Sequence, residues 1–389
     1  MSQGARIEGL RGVSFRSRAV YRIVGEIGRG GMGIVFLADR DSENVQDRLV
    51  LKTVRTLSRE HIDLLRKEAN LATRLRHENI VKSYGMESLP LQEVAGKLGL
   101  GDANVRALAA EGTDRVYLIA MDYVEGTNLW TLHDAHLKGR LLLPVPIGAF
   151  IVSRLCRGLE YAHRWLVHRD VSPGNVLIDH EGVCKLTDFG LAVESEEAVR
   201  ALAGKYAYMA PEQLRMEVLD GRSDLYATGI VAYEILTGLK PFPIIAREMR
   251  QAMRDSLLAR ARTPPAPHRV RPDIPEALSA IVMKMLQNDR ADRYARVGDA
   301  GDLIEQRFLY RKGFGPTNNS LAAYLRLFAQ GFDKAPAGDL RQLSFFKNAL
   351  GVVEPRRSCS TEDYTPEGLA LAERDGDSTA RSILSTQAP

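Results

Sequence analysis

The sequence predicts an α+β fold, with strand-like runs and a helical stretch both legible in its first 124 residues. Two observations carry that expectation from the residues alone. Tyr21 and Ile23, then Ile34 and Phe36, alternate in strand fashion on either side of a glycine-rich stretch, and Val116 to Val124 reads as a further strand. Between them, Ile62 to Leu75 places Leu64, Leu65, Glu68, Leu71, Ala72 and Leu75 on one helical face. No internal repeat is visible.

Composition bounds the class. With 389 residues, 45% of them hydrophobic, the chain can bury a core and has room for about two or three folding units. A net charge of +4 is too mild to argue for nucleic acid as a partner. Cys156, Cys184 and Cys359 form neither a CxxC pair nor a disulfide framework, which suits a reducing compartment. No window holds the roughly eighteen consecutive apolar residues of a membrane helix. The start carries Arg6, Arg11, Arg16 and Arg18 against Glu8 and lacks the apolar stretch of a signal peptide. A transit peptide shares that composition; an unstructured tail over residues 1–20 is the favoured reading. The expected location is cytoplasmic.

The glycine-rich stretch runs Gly28-Arg29-Gly30-Gly31-Met32-Gly33-Ile34-Val35. Glycines suit a loop whose backbone must approach phosphate oxygens, because a side chain would block the approach. Dinucleotide-binding folds use the same letters, but there a helix begins inside the motif and an acidic residue follows about twenty positions on. Here a second strand-like run, Ile34 to Ala38, comes next, and then Lys52 in Leu49-Val50-Leu51-Lys52. A hairpin is therefore expected.

Three polar strings lie further on: His168-Arg169-Asp170 with Asn175, Asp188-Phe189-Gly190, and Ala210-Pro211-Glu212. In this order, behind the glycine loop and Lys52, they resemble the protein kinase family, and specifically its eukaryotic-like bacterial Ser/Thr members. The resemblance implies a bilobal protein kinase fold, with a small β-rich N-lobe and a larger helical C-lobe. It places the kinase domain at residues 21–310, the N-lobe at about 21–124 with an insertion at 89–114, and the C-lobe at about 125–310. Residues 311–354 are expected to form a helical extension, since Leu321, Tyr324, Leu325 and Phe328 repeat at helical spacing, as do Leu340, Leu343, Phe346 and Leu350 less cleanly. Residues 355–389 are rich in Ser, Thr, Asp and Glu and read as a disordered tail holding candidate autophosphorylation sites such as Ser358, Thr361 and Ser382.

The resemblance also implies roles. ATP and Mg2+ are the expected cofactors. Gly28, Gly30, Gly31 and Gly33 are expected to cover the phosphates, and Lys52, paired with Glu68, to hold the α- and β-phosphates. Val35 and Val50 would lie over adenine and Leu177 beneath it, with Met121 at the back of the pocket and backbone groups of Asp122 and Tyr123 bonding the base. Asp170 would orient the substrate hydroxyl and accept its proton, while Asn175 and Asp188 hold magnesium through hard oxygens. A helix N-cap is the common fate of an aspartate near a turn, but it does not explain both aspartates together with Asn175. His168 and Phe189 read as packing residues, Asp224 as a buttress of the His168 loop, and Arg293 as the partner of Glu212.

The chain departs from the family at one telling place. Most Ser/Thr kinases carry a lysine two positions after the catalytic aspartate, where Ser172 stands, and Gly-Thr where this chain has Gly204-Lys205. The lysine and the hydroxyl have traded places, so Lys205 is expected to deliver the missing charge; independent drift with weakened catalysis is the alternative. Between Asp188 and Glu212 the single serine, Ser195, sits among Glu194, Glu196 and Glu197. Either Ser195 is phosphorylated to engage Arg169, or the glutamates serve partly in its place and dependence on loop phosphorylation is low, which is the favoured reading.

The expected activity is phosphoryl transfer from ATP to Ser/Thr hydroxyls of protein substrates, including autophosphorylation. The rivals are a pseudokinase scaffold, for which only Ser172 argues, and a small-molecule kinase, against which Ala210-Pro211-Glu212 argues. The run Arg247, Arg250, Arg254, Arg260, Arg262, Arg269 and Arg271 reads as a solvated face or, as a minority reading, a recruiter of acidic substrates.

Overall fold

Alternate apolar positions build the first sheet. Tyr21, Ile23, Phe36, Ala38, Leu49 and Leu51 are all buried together, while their neighbours along each strand are more exposed. In the computed structural model, which describes residues 14–17, 19–30, 33–42, 45–53, 59–90, 115–189, 205–243, 249–313 and 315–330, these positions lie on a six-stranded antiparallel sheet. Its strands are β1 (Ser14–Arg16), β2 (Val20–Gly30), β3 (Gly33–Ser42), β4 (Val45–Thr53), β5 (Ser83–Pro90) and β6 (Arg115–Asp122), in the order β1-β2-β3-β4-β6-β5. Helix α1 (Arg59–Ala72) lies between β4 and β5 in sequence. The β2–β3 pairing runs out to Gly30 opposite Gly33, which is the expected hairpin.

Two boundaries differ from expectation. Residues 14–16 are an edge strand rather than tail, because Phe15 is buried and its ring packs 5.4 Å from that of Tyr21. A run so short gives periodicity too little to work on. Likewise Leu89 and Pro90 belong to β5, opposite Val116 and Arg115, so the insertion starts after them. Residues 91–114, Gly31, Ser195 and everything beyond residue 330 lie outside the described residues, as do the side chains of Glu68 and Lys205.

Among the described residues, a second compact unit takes in Glu125–Thr187 and those from 205 to 330. Its helices are α2 (Leu129–Lys138), α3 (Val145–Ala162), α4 (Pro211–Leu214), α5 (Gly221–Thr237), α6 (Met249–Arg260), α7 (Pro267–Val270), α8 (Glu276–Met285), α9 (Val297–Ile304) and α10 (Asn318–Gln330). Helices α3 and α5 are apolar nearly all round and form its centre, as buried helices must. A three-stranded sheet, β7 (Gly126–Asn128), β8 (Val176–Asp179) and β9 (Cys184–Leu186), flanks in sequence the loop that holds His168, Arg169, Asp170 and Asn175. Gly126 is needed at its edge, since a Cβ there would fall 2.0 Å from the Ile178 carbonyl oxygen. Among the described residues no helix is long and apolar enough to cross a membrane.

The arginine run is not one solvated face. Arg254, Arg262 and Arg269 are exposed, but Arg260 and Arg271 are each only 2% exposed. Arg271 donates to the carbonyls of Leu143 and Leu236, both at 2.8 Å, and pairs with Asp273, tying the start of α3 to the end of α5. Main-chain carbonyls pull these guanidinium groups inward, and charge spacing in a sequence carries no trace of them.

Helix α10 closes onto α2 through a buried histidine. His136 Nδ1 lies 2.7 Å from the Leu132 carbonyl oxygen and therefore bears the proton; Nε2 accepts from the Tyr324 hydroxyl at 2.7 Å. Phe328 stacks on the imidazole at 3.9 Å. Burial pushes the pKa of His136 down to about 4, and burial with the adjacent His136 and Lys240 does the same for His133, also to about 4. The unfolded chain protonates both rings below about pH 6.5, so stability present at pH 7 is lost as pH falls from about 6.5 toward 4. The expected loss at pH 5 is about 2 kcal/mol per histidine. Urea unfolding at pH 7 and pH 5 should show a larger drop for wild type than for His136→Gln; equal drops would contradict the assignment.

Candidate active site

The loop ahead of β8 is locked from several sides. His168 is fully buried, and its Nε2 donates to the Thr187 carbonyl at 2.9 Å. That leaves Nδ1 as an acceptor, and it receives the Asp170 N–H at 3.2 Å. Asp224, near the start of α5, accepts the N–H groups of His168 and Arg169 at 2.7 and 2.8 Å and the His163 ring at 2.8 Å. Burial alone would push the Asp224 carboxyl up, but these donors and the His163 contact hold it below the usual carboxylate range. Arg169 takes a left-handed backbone, φ 66°, so the loop is held in a conformation most residues avoid.

Within this frame two predicted residues meet. Asn175, at the end of a short turn (Pro173–Asn175), donates its Nδ2 to both the main-chain carbonyl and the carboxylate of Asp170, each at 2.8 Å. The amide's oxygen end is thereby turned away from Asp170 and is the end able to bind a hard cation. Leu177 follows in β8, opposite Asn128 and Lys185. Gln213 was not anticipated: its Nε2 donates to the Arg169 carbonyl at 2.7 Å, joining the Ala210-Pro211-Glu212 segment to the Asp170 loop. His163 was also missed, for nothing in the sequence marks its bond to Asp224.

In the other unit, Lys52 and Asp188 form an ion pair at 2.9 Å, and both are largely buried. Asp188 also takes a left-handed backbone, φ 66°. Lys52 sits opposite Val35 and Ile119 in the sheet, and next to it the Thr53 hydroxyl accepts the Ile34 N–H at 2.7 Å, fixing β4 against the start of β3. Val50 pairs with Met121, and both are buried. The Asp122 N–H is given to the Lys82 carbonyl at 2.9 Å, so Asp122 can meet a base only through its carbonyl. Tyr123 follows β6 directly.

These residues fit ATP and magnesium. A Cβ built on Gly28 would meet only Val35, at an ordinary 3.7 Å, so the protein's own packing does not demand glycine there. In one unit the Lys52 ammonium and the Asp188 carboxylate, and in the other the Asp170 carboxylate and the outward Asn175 amide oxygen, are each donor types that suit phosphate oxygens or a hard cation.

Comparison with known proteins agrees. The protein kinase domain family matches residues 21–309. The chain is 33% identical over 324 residues to the tyrosine-protein kinase MasK of Myxococcus xanthus, covering 79% of this chain and 45% of that protein. It is 31% identical over 297 residues to the serine/threonine-protein kinase PrkC of Bacillus subtilis, covering 74% of this chain and 40% of PrkC. The chain thus spans less than half the length of these relatives. Among solved structures, the kinase domain of Mycobacterium tuberculosis PknI is similar, with a TM-score of 0.53 and 26% identity over 76% of this chain and 98% of that one. With the fold, the paired polar residues and a family match over most of its length, the chain belongs to the protein kinase family.

Proposed function

We propose that this chain transfers the γ-phosphate of ATP to serine and threonine hydroxyls of proteins, itself included. The supporting observation is that Asn175 Nδ2 holds the main-chain carbonyl and one carboxylate oxygen of Asp170 together, fixing a carboxylate that would otherwise turn freely. In this reading Asp170 orients the acceptor hydroxyl and takes its proton as the new P–O bond forms and the β–γ bridge breaks. Asn175 and Asp188 hold Mg2+, and Lys52 holds the α- and β-phosphates with Glu68 as its further partner. Gly28, Gly30, Gly31 and Gly33 offer backbone to the phosphates. Val35, Val50, Met121 and Leu177 pack against the base, with Asp122 and Tyr123 bonding it. When bound, Mg2+ spreads the charge of the transferring group. A cytoplasmic location belongs to the same proposal, supported by the buried thiol of Cys156, which forms no disulfide among the described residues.

Lys205 is assigned to the transferring phosphate in place of the lysine that Ser172 replaces. Restoring Lys at 172 and Thr at 205, singly and then together, tests the exchange. Each single change is expected to lower kcat, and the double change to recover more than the singles sum to; simple additivity rejects the idea.

A second reading has one observation in its favour: the relative MasK is described as a tyrosine-protein kinase. Site-resolved mass spectrometry of the protein after incubation with magnesium and ATP separates the two, with Asp188→Asn as control. Phosphoserine or phosphothreonine in the wild type alone supports the first reading, and phosphotyrosine the second. Absence of transfer to the protein or to an added acceptor would reject both.

A further inference from the structure

The segment leading into Ala210-Pro211-Glu212 is held by a buried arginine from another helix. Arg260 ends α6, and its Nε donates to the Met209 carbonyl at 2.7 Å. One terminal nitrogen donates to the carbonyls of Tyr206 and Ala207 at 2.7 and 2.9 Å, and the other to Ser256 of its own helix at 2.9 Å. The Phe242 ring lies 5.4 Å from the guanidinium carbon. Among the described residues no carboxylate pairs with Arg260, so carbonyl dipoles and a ring face alone compensate a buried cation.

For stability, an apolar side chain of similar volume would commonly do as well. What the guanidinium supplies is geometry, through rigid donors aimed at several carbonyls at once. Tyr206 and Ala207 lie in the short turn Lys205–Ala207, whose carbonyls Arg260 reaches from outside it. A second anchor comes from α5, where Glu234 accepts the Tyr208 hydroxyl at 2.7 Å. Main chain is thus fixed by α6 and the Tyr208 side chain by α5.

We infer that Arg260 is a positioning residue for the protein acceptor: it sets the backbone of residues 206–209, and with it the platform on which the substrate segment lies. The inference rests on the kinase reading above. It is distinct from the reading of the arginine run as a recruiter of acidic substrates, because this guanidinium faces inward.

The test compares full-length wild type, Arg260→Gln and Arg260→Lys, with myelin basic protein as acceptor. In Arg260→Gln the KM for the acceptor should rise about tenfold while the KM for ATP changes less than about twofold. Arg260→Lys, a point charge without the fork, should recover only part of the loss. Amide hydrogen exchange should quicken at residues 205–210 in Arg260→Gln, with α3 and α5 protected as in wild type. Equal losses toward ATP and acceptor, or unchanged exchange at 205–210, overturn the inference. If Arg260→Gln fails to fold, Arg260→Lys carries the same two comparisons. A wild type that transfers no phosphate would remove the kinase reading, and the exchange result would still decide whether Arg260 holds the segment.

Discussion

Asp170→Asn is expected to lower kcat about a thousandfold while leaving the KM for ATP within about threefold. The substitution is nearly isosteric, and the side-chain oxygen of the new asparagine can still accept from Asn175 Nδ2, as Asp170 Oδ2 does at 2.8 Å. The Asp170 N–H bond to His168 and the main-chain carbonyl bond to Asn175 are untouched, so the loop should keep its shape. What disappears is a negative charge able to orient a hydroxyl and take its proton. General bases contribute roughly 10²- to 10⁴-fold, which sets the size of the effect. Initial rates against ATP and acceptor concentration, with a melting curve on the same preparation, check the result. A kcat within about tenfold of wild type, at unchanged melting temperature, would remove Asp170 from the role of base.

The residues most legible in the sequence are those whose role depends on short spacing and on residue type. Asp170 and Asn175 lie within one loop, so their meeting follows from local chain geometry, and the glycines of the β2–β3 hairpin announce themselves by composition. Contacts made across long stretches of chain left no such mark. His136 meets Tyr324 through a pairing separated by nearly the whole second unit, and neither residue carries a motif. Arg260 and Arg271 are legible as charges but not as buried ones, because the groups that draw them inward include main-chain carbonyls, which every residue possesses. The same blindness explains Asp122, whose N–H is already spent on Lys82. Sequence reading finds side chains that chemistry requires; it does not show which backbone groups remain to be satisfied.

Arg293→Met is expected to destabilise the protein by about 3–5 kcal/mol, a large share of the roughly 5–15 kcal/mol that holds a domain folded. Arg293 donates to both Glu212 oxygens at 2.6 and 2.8 Å, and also to the carbonyls of Gln287, Arg222 and Asn288. Its side chain is 0% exposed and that of Glu212 is 3% exposed, so no water stands ready to replace a lost partner. Burial on its own would raise the Glu212 pKa, yet the hydrogen bonds and charge of Arg293 hold it below its ordinary value. Removing the arginine leaves that carboxylate with Ser223 as its remaining side-chain donor, and the group must then bury an uncompensated charge or take up a proton. The double variant Glu212→Leu, Arg293→Met removes both charges and should be less damaged than the sum of the two single changes. Part of the cost must remain, since the orphaned carbonyls of Gln287, Arg222 and Asn288 persist in the double variant. Urea unfolding of the four proteins measures the coupling. A single-mutant loss below about 1 kcal/mol would place this pair with exposed salt bridges and contradict its role in anchoring the segment that follows residue 209.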